Sequence, residues 1–392
     1  MKFSAITTAL CLVGVLSASN VLAHADHRLE QALQQDPIKT GQVFQQASVL
    51  AQLANLYKEI GDEANYQQLL QKSKALQPMV ADGYVKQYLK GHTANEIAST
   101  GDFPMALQVL NSIEDTEVWV KIAWKLAAKL AKADQPEQTR QLLQQCIKKA
   151  HAVPELELRS ELLSGTGASF RYLEPEQGIA LVYEAFGIAQ SLADPYERAL
   201  HFNETGAHLM DIKHRTRALA VFDEVLLMLP QITDKLQQAQ VLAMLGGEQA
   251  EKGERVRAVQ ALDQAWAIAK RLPDNDASYA VQSEIARNYG QSYQYDKGIA
   301  AAELIKHPYY AAEGYIRIAK NMYRQKAGDA TVLLQRAEQL VANMSDPYQQ
   351  AIVLRKIASE YLTMKDEAKV RQLLAQALQS SGQLSLTVNK VN

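Results

Sequence analysis

The chain has 392 residues, of which 47% are hydrophobic, and its 41 basic and 43 acidic residues leave a formal net charge of −2. This composition is normal for a folded protein, and the balanced charge excludes broad electrostatic capture of nucleic acid or of anionic membranes. The length would allow two or three globular domains, but the chain repeats itself, so we expect a repeat array instead.

Residues 1–25 have the features of a signal peptide. A positively charged residue precedes an apolar run over residues 5–17, which is too short to span a membrane, and residues 21–23 and 23–25 each match the small-x-small pattern of a cleavage site. We expect cleavage after Ala23 or Ala25, which would place the mature protein in the periplasm or an equivalent exported space.

The mature terminus would place metal-binding groups next to a free amine. It would begin either His24-Ala25-Asp26-His27 or Asp26-His27. One or two imidazoles and a carboxylate suit a divalent transition metal such as manganese. His24, Asp26 and His27 are therefore a candidate metal site, and the alternative is that they are polar residues that merely follow a cleavage site.

Residues 47–78 predict the first antiparallel helical hairpin. Apolar residues recur three to four positions apart from Leu50 to Tyr57, Gly61-Asp62 interrupts this pattern as a helix end and turn, and a second periodic run ends at Pro78. Ahead of this hairpin, residues 26–46 predict an N-terminal capping helix.

A short phrase recurs along the rest of the chain. It reads Asp194-Pro195-Tyr196 and Asp346-Pro347-Tyr348, and weaker copies begin at Asp115, Pro154, Asp234, Asp276 and His307. Asp can cap the N-terminus of the next helix, and Pro fits the first helical position because no N–H partner is needed there. We interpret the phrase as a joint between hairpins rather than as a binding site.

The hairpins resemble tetratricopeptide repeats. In the repeat counted from Ala199, Gly206 occupies the position at which the family has a small residue. Other positions of the family pattern are occupied by Phe202, Leu209, Ala218, Phe222 and Pro230. The turn Gly101-Asp102-Phe103-Pro104 is also close to the family pattern. The small residue lets the two helices approach closely. One such anchor can be placed in each of nine repeats, at Ala54, Ala94, Ala127, Gly167, Gly206, Gly246, Ala286, Ala319 and Ala358.

The resemblance implies an all-α fold, a right-handed α-α superhelix of about nine hairpins over residues 47–379. Two repeats depart from the pattern, since Glu174-Pro175 replaces Gly-Asp and the repeat after Ala319 needs about two inserted residues at its turn. Residues 380–392 are polar and without periodicity, and we expect a flexible tail there.

The family binds partners on the concave face of its first helices, and this implies candidate contacts here. Eight of the 17 tyrosines lie between Tyr279 and Tyr323, and tyrosine is enriched at interfaces. The predicted partner-binding residues are Arg287, Gln291, Tyr309, Tyr310, Glu313, Lys320, Tyr323, Arg324 and Arg355. The alternative is that the tyrosines pack between repeats.

The sequence contains no recognisable catalytic motif. There is no His-Glu-x-x-His, no Gly-x-Ser-x-Gly, no phosphate-binding loop and no dinucleotide fingerprint. We therefore expect a non-enzymatic scaffold or assembly factor that holds a protein or peptide, without a nucleic-acid partner and without an integral membrane segment.

The layout is similar to that of cyanobacterial periplasmic tetratricopeptide proteins that serve photosystem II biogenesis. That resemblance implies an alternative function, in which the protein binds a precursor subunit of a membrane complex and supplies manganese. A further alternative is a metal carrier that uses the mature N-terminus.

Overall fold

The computed structural model describes residues 41–80 and 83–388. Over these residues it has eighteen α-helices, no strand and three short 3₁₀ turns, and the helices form nine hairpins. The first helices of the hairpins are α1 (Gln42–Glu59), α3 (Gly83–Ser99), α5 (Thr116–Lys132), α7 (Leu156–Ser169), α9 (Pro195–Asp211), α11 (Lys235–Glu251), α13 (Asp276–Gln291), α15 (Pro308–Gln325) and α17 (Pro347–Thr363). The second helices are α2 (Glu63–Leu76), α4 (Phe103–Asn111), α6 (Pro136–His151), α8 (Pro175–Gln190), α10 (Arg215–Met228), α12 (Arg255–Ala269), α14 (Tyr295–Glu303), α16 (Thr331–Val341) and α18 (Glu367–Val388). The predicted all-α array of tetratricopeptide-like hairpins is confirmed.

The nine predicted small-residue anchors each lie on the first helix of a different hairpin, and all are buried. Gly206 shows why the position must be small. A Cβ added to it would lie 2.4 Å from Cε1 of Phe222 on the second helix of the same hairpin. The close approach of α9 and α10 therefore depends on the absence of a side chain at Gly206.

The recurring phrase is a joint, as predicted. A carboxylate oxygen of Asp194 accepts a hydrogen bond from the backbone N–H of Tyr196 at 2.9 Å, and Asp346 accepts one from Tyr348 at 2.8 Å. Pro195 begins α9, and Pro347 begins α17 in the same way. The copy at Asp276 differs slightly, because Asn275, one residue earlier, caps α13.

The turns within the hairpins use the left-handed backbone conformation. Gly61 and Gly101 have φ values of +76° and +84°, which confirms the predicted glycine turns. Lys213 and Lys365 adopt the same conformation at φ values of +67° and +64° without being glycine. Such residues carry a local conformational strain that glycine would not.

The chain divides into two compact units. Of the described residues, those up to 89 and those from 259 onward form unit 1, and residues 90–258 form unit 2. In unit 2, hairpins from α5 to α10 stack in chain order, each first helix packing on the preceding hairpin.

In unit 1 the first hairpin of the chain packs against the last one. Helix α1 contacts both α17 and α18, and a guanidinium nitrogen of Arg371 lies 3.8 Å from a carboxylate oxygen of Asp62. The first hairpin thus takes the place of a further repeat after the last. Helix α1 starts at Gln42, so residues 42–46 belong to the first hairpin. The predicted boundary had assigned these residues to the capping helix over 26–46.

The predicted tail is also shorter than the sequence suggested. Helix α18 continues to Val388, and the Ser380 hydroxyl donates a hydrogen bond to the side-chain oxygen of Gln350 at 3.2 Å. Residues 380–388 are therefore helical, because the buried face of α18 extends past Ala377 to Ser381.

Several predictions lie outside the described residues. These are the signal peptide, most of the capping helix, and the candidate metal ligands His24, Asp26 and His27. In the part of the chain that is described, no helix is both long and apolar enough to cross a membrane.

Candidate functional site

Charged residues occupy the same position on three consecutive first helices of unit 1. Glu284 on α13, Arg317 on α15 and Lys356 on α17 are each the sixth residue of their repeat, counted from Tyr279, Ala312 and Ala351. Equivalent positions of stacked repeats lie side by side, so these three residues are neighbours across helices.

Other charged residues of the same helices surround these three. We call the whole set the basic cluster, which consists of Glu284, Arg287, Glu313, Arg317, Lys320, Arg324, Arg355, Lys356 and Glu360. Six of these nine residues are basic and three are acidic, so the basic cluster has a formal charge of +3. We call the surface that carries it the first-helix face of unit 1.

Ion pairs hold the basic cluster together. The Lys356 ammonium lies 2.6 Å from a Glu313 carboxylate oxygen, and the Arg287 guanidinium lies 2.8 Å from a carboxylate oxygen of Glu284. The four side chains are only 10–14% exposed. Lys320 and Glu360 form a longer pair at 3.5 Å. Charges that are this far removed from water depend strongly on their partners.

These ion pairs leave polar atoms of the basic cluster unsatisfied. Nε of Arg287 and Oε1 of Glu313 are both buried without a hydrogen-bond partner. Buried polar atoms in native proteins nearly always have a partner, so the two atoms mark positions where a ligand group or a water molecule would fit.

The pKa values within the basic cluster reflect its positive charge. Burial alone would raise the pKa of Glu313, but Lys356, Arg287 and Arg317 outweigh it and hold that pKa below its usual value. Burial, helped by the nearby Arg355 and Arg287, lowers the pKa of Lys356 to about 8 in spite of its contact with Glu313. Carboxylates are thus stabilised at this surface and cations are destabilised.

Two of the predicted contact residues are wrong. Tyr309 and Tyr310 are 0% and 3% exposed. Their rings pack on each other with centroids 5.2 Å apart, and Tyr310 also packs on His307 at 5.1 Å. They follow Pro308 at the start of α15, where side chains point into the joint between hairpins. Tyr289 and Tyr315 are also buried, so packing explains much of the tyrosine-rich stretch.

The structure brings other predicted residues together. Arg287, Glu313, Lys320 and Arg355 belong to the basic cluster. Tyr323 and Arg324 are exposed at the C-terminal end of α15, where the Tyr323 hydroxyl donates to the backbone carbonyl oxygen of Thr363 on α17 at 3.4 Å. Gln291 is half-buried at the end of α13.

Four members of the basic cluster were missed by the sequence analysis. Glu284, Arg317 and Lys356 lie at a repeat position that was not among the expected contact positions, and Glu360 follows Lys356 by one helical turn. The recurrence of charge at the sixth position of three consecutive repeats is the sequence signal that would have found them.

Unit 2 has a separate, acidic cluster on its first helices. Lys121 on α5 lies 2.9 Å from a carboxylate oxygen of Glu117 and 3.0 Å from one of Glu161 on α7. Burial, and next the charge of Glu161, raises the pKa of Glu204 on α9 well above its usual value. Glu248 on α11 adds further negative charge. The first helices of the two units thus present charge of opposite sign.

One serine–histidine pair in unit 2 has the residue types of a nucleophile and its base. Oγ of Ser164 lies 2.6 Å from Nδ1 of His208, and burial lowers the pKa of His208 to about 4. The ring is therefore neutral at pH 7. Ser164 is only 2% exposed, so its hydroxyl is closed to a substrate, and the pair contributes to packing between α7 and α9.

Among the described residues, no group of three or more His, Cys, Asp or Glu side chains is placed to hold a metal ion. The manganese prediction therefore depends on the N-terminal residues alone.

No family model matches the chain, and no curated protein matches it. Several solved structures are similar. Ton1535 from Thermococcus onnurineus NA1 has a TM-score of 0.41 at 14% identity, covering 77% of this chain and 99% of that one. A Rap protein complexed with competence and sporulation factor has a TM-score of 0.36 at 14% identity, covering 87% of this chain and 99% of that one. Aspartyl phosphate phosphatase F from Bacillus subtilis has a TM-score of 0.34 at 12% identity, covering 85% and 94%. Similarity at this level does not transfer a function to this chain.

Proposed function

We propose that the protein is a non-enzymatic scaffold that binds a segment of another protein on the first-helix face of unit 1. The basic cluster is the observation that carries this proposal. It combines ion pairs between neighbouring first helices with two buried polar atoms that have no hydrogen-bond partner, Arg287 Nε and Glu313 Oε1. A bound segment would supply the hydrogen-bond partners that these two atoms lack.

Accessible side chains border the basic cluster and would extend the contact surface. Tyr323 is 39% exposed, and Arg324 and Thr363 are exposed beside it. An aromatic ring next to a guanidinium is a common composition for the energetically important part of a protein interface. This rim lies at the C-terminal ends of α15 and α17, so a partner seated there would contact at least two repeats.

We place this activity in the periplasm or an equivalent exported space, because residues 1–25 have the composition and length of a cleavable signal peptide. The two alternatives from the sequence remain proposals with the same location. One is assembly of a membrane complex such as photosystem II with supply of manganese, and the other is a metal carrier.

Site-specific photo-crosslinking tests the scaffold proposal. A benzophenone amino acid at Thr363, on first helix α17, should capture a partner from extract of the exported space. The matched control is the same group at Val332, which is 46% exposed on second helix α16 of unit 1. Equal capture at both positions, or capture at Val332 alone, would contradict binding on the first-helix face.

The metal alternatives are tested separately by equilibrium dialysis with manganese, zinc and copper. The mature chain should bind one of these ions, and a chain without residues 24–27 should bind it more weakly. Unchanged affinity after this truncation would rule out His24, Asp26 and His27 as the ligands.

A further inference from the structure

We infer that a pocket beside the turn between α9 and α10 of unit 2 binds a phosphate group as a dianion. The pocket has a volume of about 570 Å³. We call it the turn pocket, and it is lined by Lys213, His214, Arg215, Thr216, Arg217 and Ala220. The basic cluster belongs to unit 1, so this inference is independent of the proposed function.

Three cations line the turn pocket, and they differ in their partners. The Arg215 guanidinium donates hydrogen bonds to both carboxylate oxygens of Glu254, at 2.6 and 2.9 Å. Lys213 and Arg217 form no ion pair with any residue that the structure describes. Three cations and one carboxylate leave a formal charge of +2 at this pocket, which matches the charge of a phosphate dianion.

Aromatic side chains of α8 contact two of the lining residues. Cζ of Arg217 lies 5.0 Å from the centroid of the Phe186 ring, and the Tyr183 hydroxyl lies 3.4 Å from Nδ1 of His214. A ring face attracts a guanidinium but carries no formal charge. Arg217 is therefore positioned by Phe186 while its positive charge stays available to a ligand.

The turn of the next repeat shows how the same positions are compensated elsewhere in unit 2. Forty residues later, Gly253 takes the place of Lys213, and Arg257 takes the place of Arg217. Arg257 forms an ion pair with Asp223 at 2.6 Å. That turn thus has one cation fewer, and its arginine is paired within the chain. Stacking of the repeats accordingly does not require the two unpaired cations of the turn pocket.

The lining residues suit a phosphate group better than a carboxylate or a sulfate ester. Each of these two groups carries one negative charge and would leave one cation uncompensated. A phosphate monoester carries nearly two charges at neutral pH and offers three acceptor oxygens. The fork of N–H donors of Arg217 can bind two of these oxygens, and the Lys213 ammonium or the Thr216 hydroxyl can donate to the third. The volume lies within the usual range for small-molecule sites, so the phosphate can carry an organic group.

Two ligands of similar shape and different charge test this inference. Phenyl phosphate is mostly a dianion at pH 7.5, because its second pKa is about 6, whereas phenyl sulfate carries a single charge. In isothermal titration calorimetry with the full mature chain, in phosphate-free buffer at about 0.15 M salt, we expect saturable binding of phenyl phosphate. Phenyl sulfate should bind at least about tenfold more weakly.

Charge-neutralising variants locate the binding site. Lys213→Gln with Arg217→Gln removes the two unpaired cations and should weaken the binding of phenyl phosphate by about tenfold. The matched control is Lys148→Gln with Lys149→Gln on α6, since Lys149 also lies over an aromatic ring, at 4.9 Å from the centroid of Trp119. The control should bind like the parent chain.

Thermal unfolding checks that each variant is folded. If the double variant of the turn pocket does not fold, Lys213→Gln alone replaces it, because this side chain is exposed and has no ion pair among the described residues. The single variant should weaken binding by about threefold.

Titration with inorganic phosphate distinguishes the two sources of the ligand. Affinity equal to that of phenyl phosphate would identify the free anion as the ligand, and weaker binding would identify an ester whose organic group also contacts the protein. Both results support a phosphate site. Absence of binding by either compound, equal binding of phenyl phosphate and phenyl sulfate, or equal weakening in the control variant would overturn the inference.

Discussion

The ammonium of Lys356 on α17 lies 2.6 Å from a carboxylate oxygen of Glu313 on α15, and both side chains are about 90% buried. This pair differs from an isolated buried ion pair because further cations, Arg287 and Arg317, lie close to the same carboxylate. Glu313 therefore stabilises several positive charges at once, whereas Lys356 is one of several that compete for it. The two members of the pair are not equivalent.

Substitutions of the pair should accordingly have unequal effects. Glu313→Gln leaves the surrounding cations uncompensated and should lower the free energy of unfolding by about 3 kcal/mol. Lys356→Met leaves Glu313 with its two arginines and should change that free energy by no more than about 1 kcal/mol. Urea unfolding followed by circular dichroism measures both changes.

A surface pair of unit 1 provides the control for these measurements. Glu303 and Arg336 form an ion pair at 2.8 Å with side chains that are 51% and 46% exposed. Glu303→Gln should cost less than about 1 kcal/mol, because exposed pairs contribute little. Similar losses for Glu303→Gln and Glu313→Gln would show that Glu313 has no special role.

The lowered pKa of Lys356 predicts how stability changes with pH. Its pKa is about 8 in the folded protein against an ordinary value of 10.5. Between these values the unfolded chain binds a proton that the folded chain has released, so the contribution of Lys356 makes the free energy of unfolding rise with pH across this window. Below about pH 8 the lysine is protonated in both states, and its contribution is flat.

The difference between the parent chain and Lys356→Met isolates this contribution. The free energy of unfolding of the parent, relative to that of Lys356→Met, should increase by about 2–3 kcal/mol between pH 8 and pH 10.5. The subtraction is needed because Lys129 in unit 2 also has a pKa lowered to about 8 and would contribute with the same sign. A difference that stays constant with pH would show that Lys356 titrates at its ordinary pKa.

Much of the fold follows from local chemistry that can be read in the sequence. A small anchor such as Gly206, a cap such as Asp194 and a turn glycine such as Gly101 each act within one hairpin, so the repeat pattern reveals them. Packing of the first hairpin on the last joins residues as distant as Asp62 and Arg371, and no local pattern encodes such a contact.

The candidate site shows the same limit. Arg287 and Lys320 lie in the basic cluster, as their repeat positions indicate, and their contact with a partner stays a prediction. Tyr309 and Tyr310 were misplaced because tyrosine suits both an interface and a buried joint, and composition alone does not separate the two. The partners of Glu313 could not be predicted, because side chains on different helices decide which cation reaches it.

The close contact at Gly206 predicts a large effect of a single methyl group. Gly206→Ala would place a Cβ 2.4–3.0 Å from three ring carbons of Phe222, which is itself fully buried. Either the ring or the helix α9 must move, so the substitution should destabilise the protein by about 1–3 kcal/mol.

Gly187 provides a matched control, because it lies within helix α8 and an added Cβ would meet no atom within 4 Å. Gly187→Ala should stabilise the protein by about 1 kcal/mol through helix propensity. Opposite signs for the two substitutions, measured as shifts of the urea midpoint, would confirm that contact with Phe222 decides the effect. Stabilisation by Gly206→Ala would mean that α9 and α10 are not held this closely.

The left-handed turn at Lys365 predicts a stabilising substitution. Lys365 has a φ of +64° between α17 and α18, a conformation that costs a residue with a side chain about 1 kcal/mol. Its side chain is exposed, so Lys365→Gly loses little packing and should raise the free energy of unfolding by about 0.5–1 kcal/mol.

Gly253, with a φ of +88° at the corresponding turn of another hairpin, supplies the reciprocal test. Gly253→Ala should destabilise by a similar amount, although an added Cβ would meet nothing within 4 Å. Because neither position has a steric conflict, the two opposite shifts in the urea midpoint would measure the backbone preference itself. Destabilisation by Lys365→Gly would instead show that the greater freedom of glycine in the unfolded chain outweighs the strain at this turn.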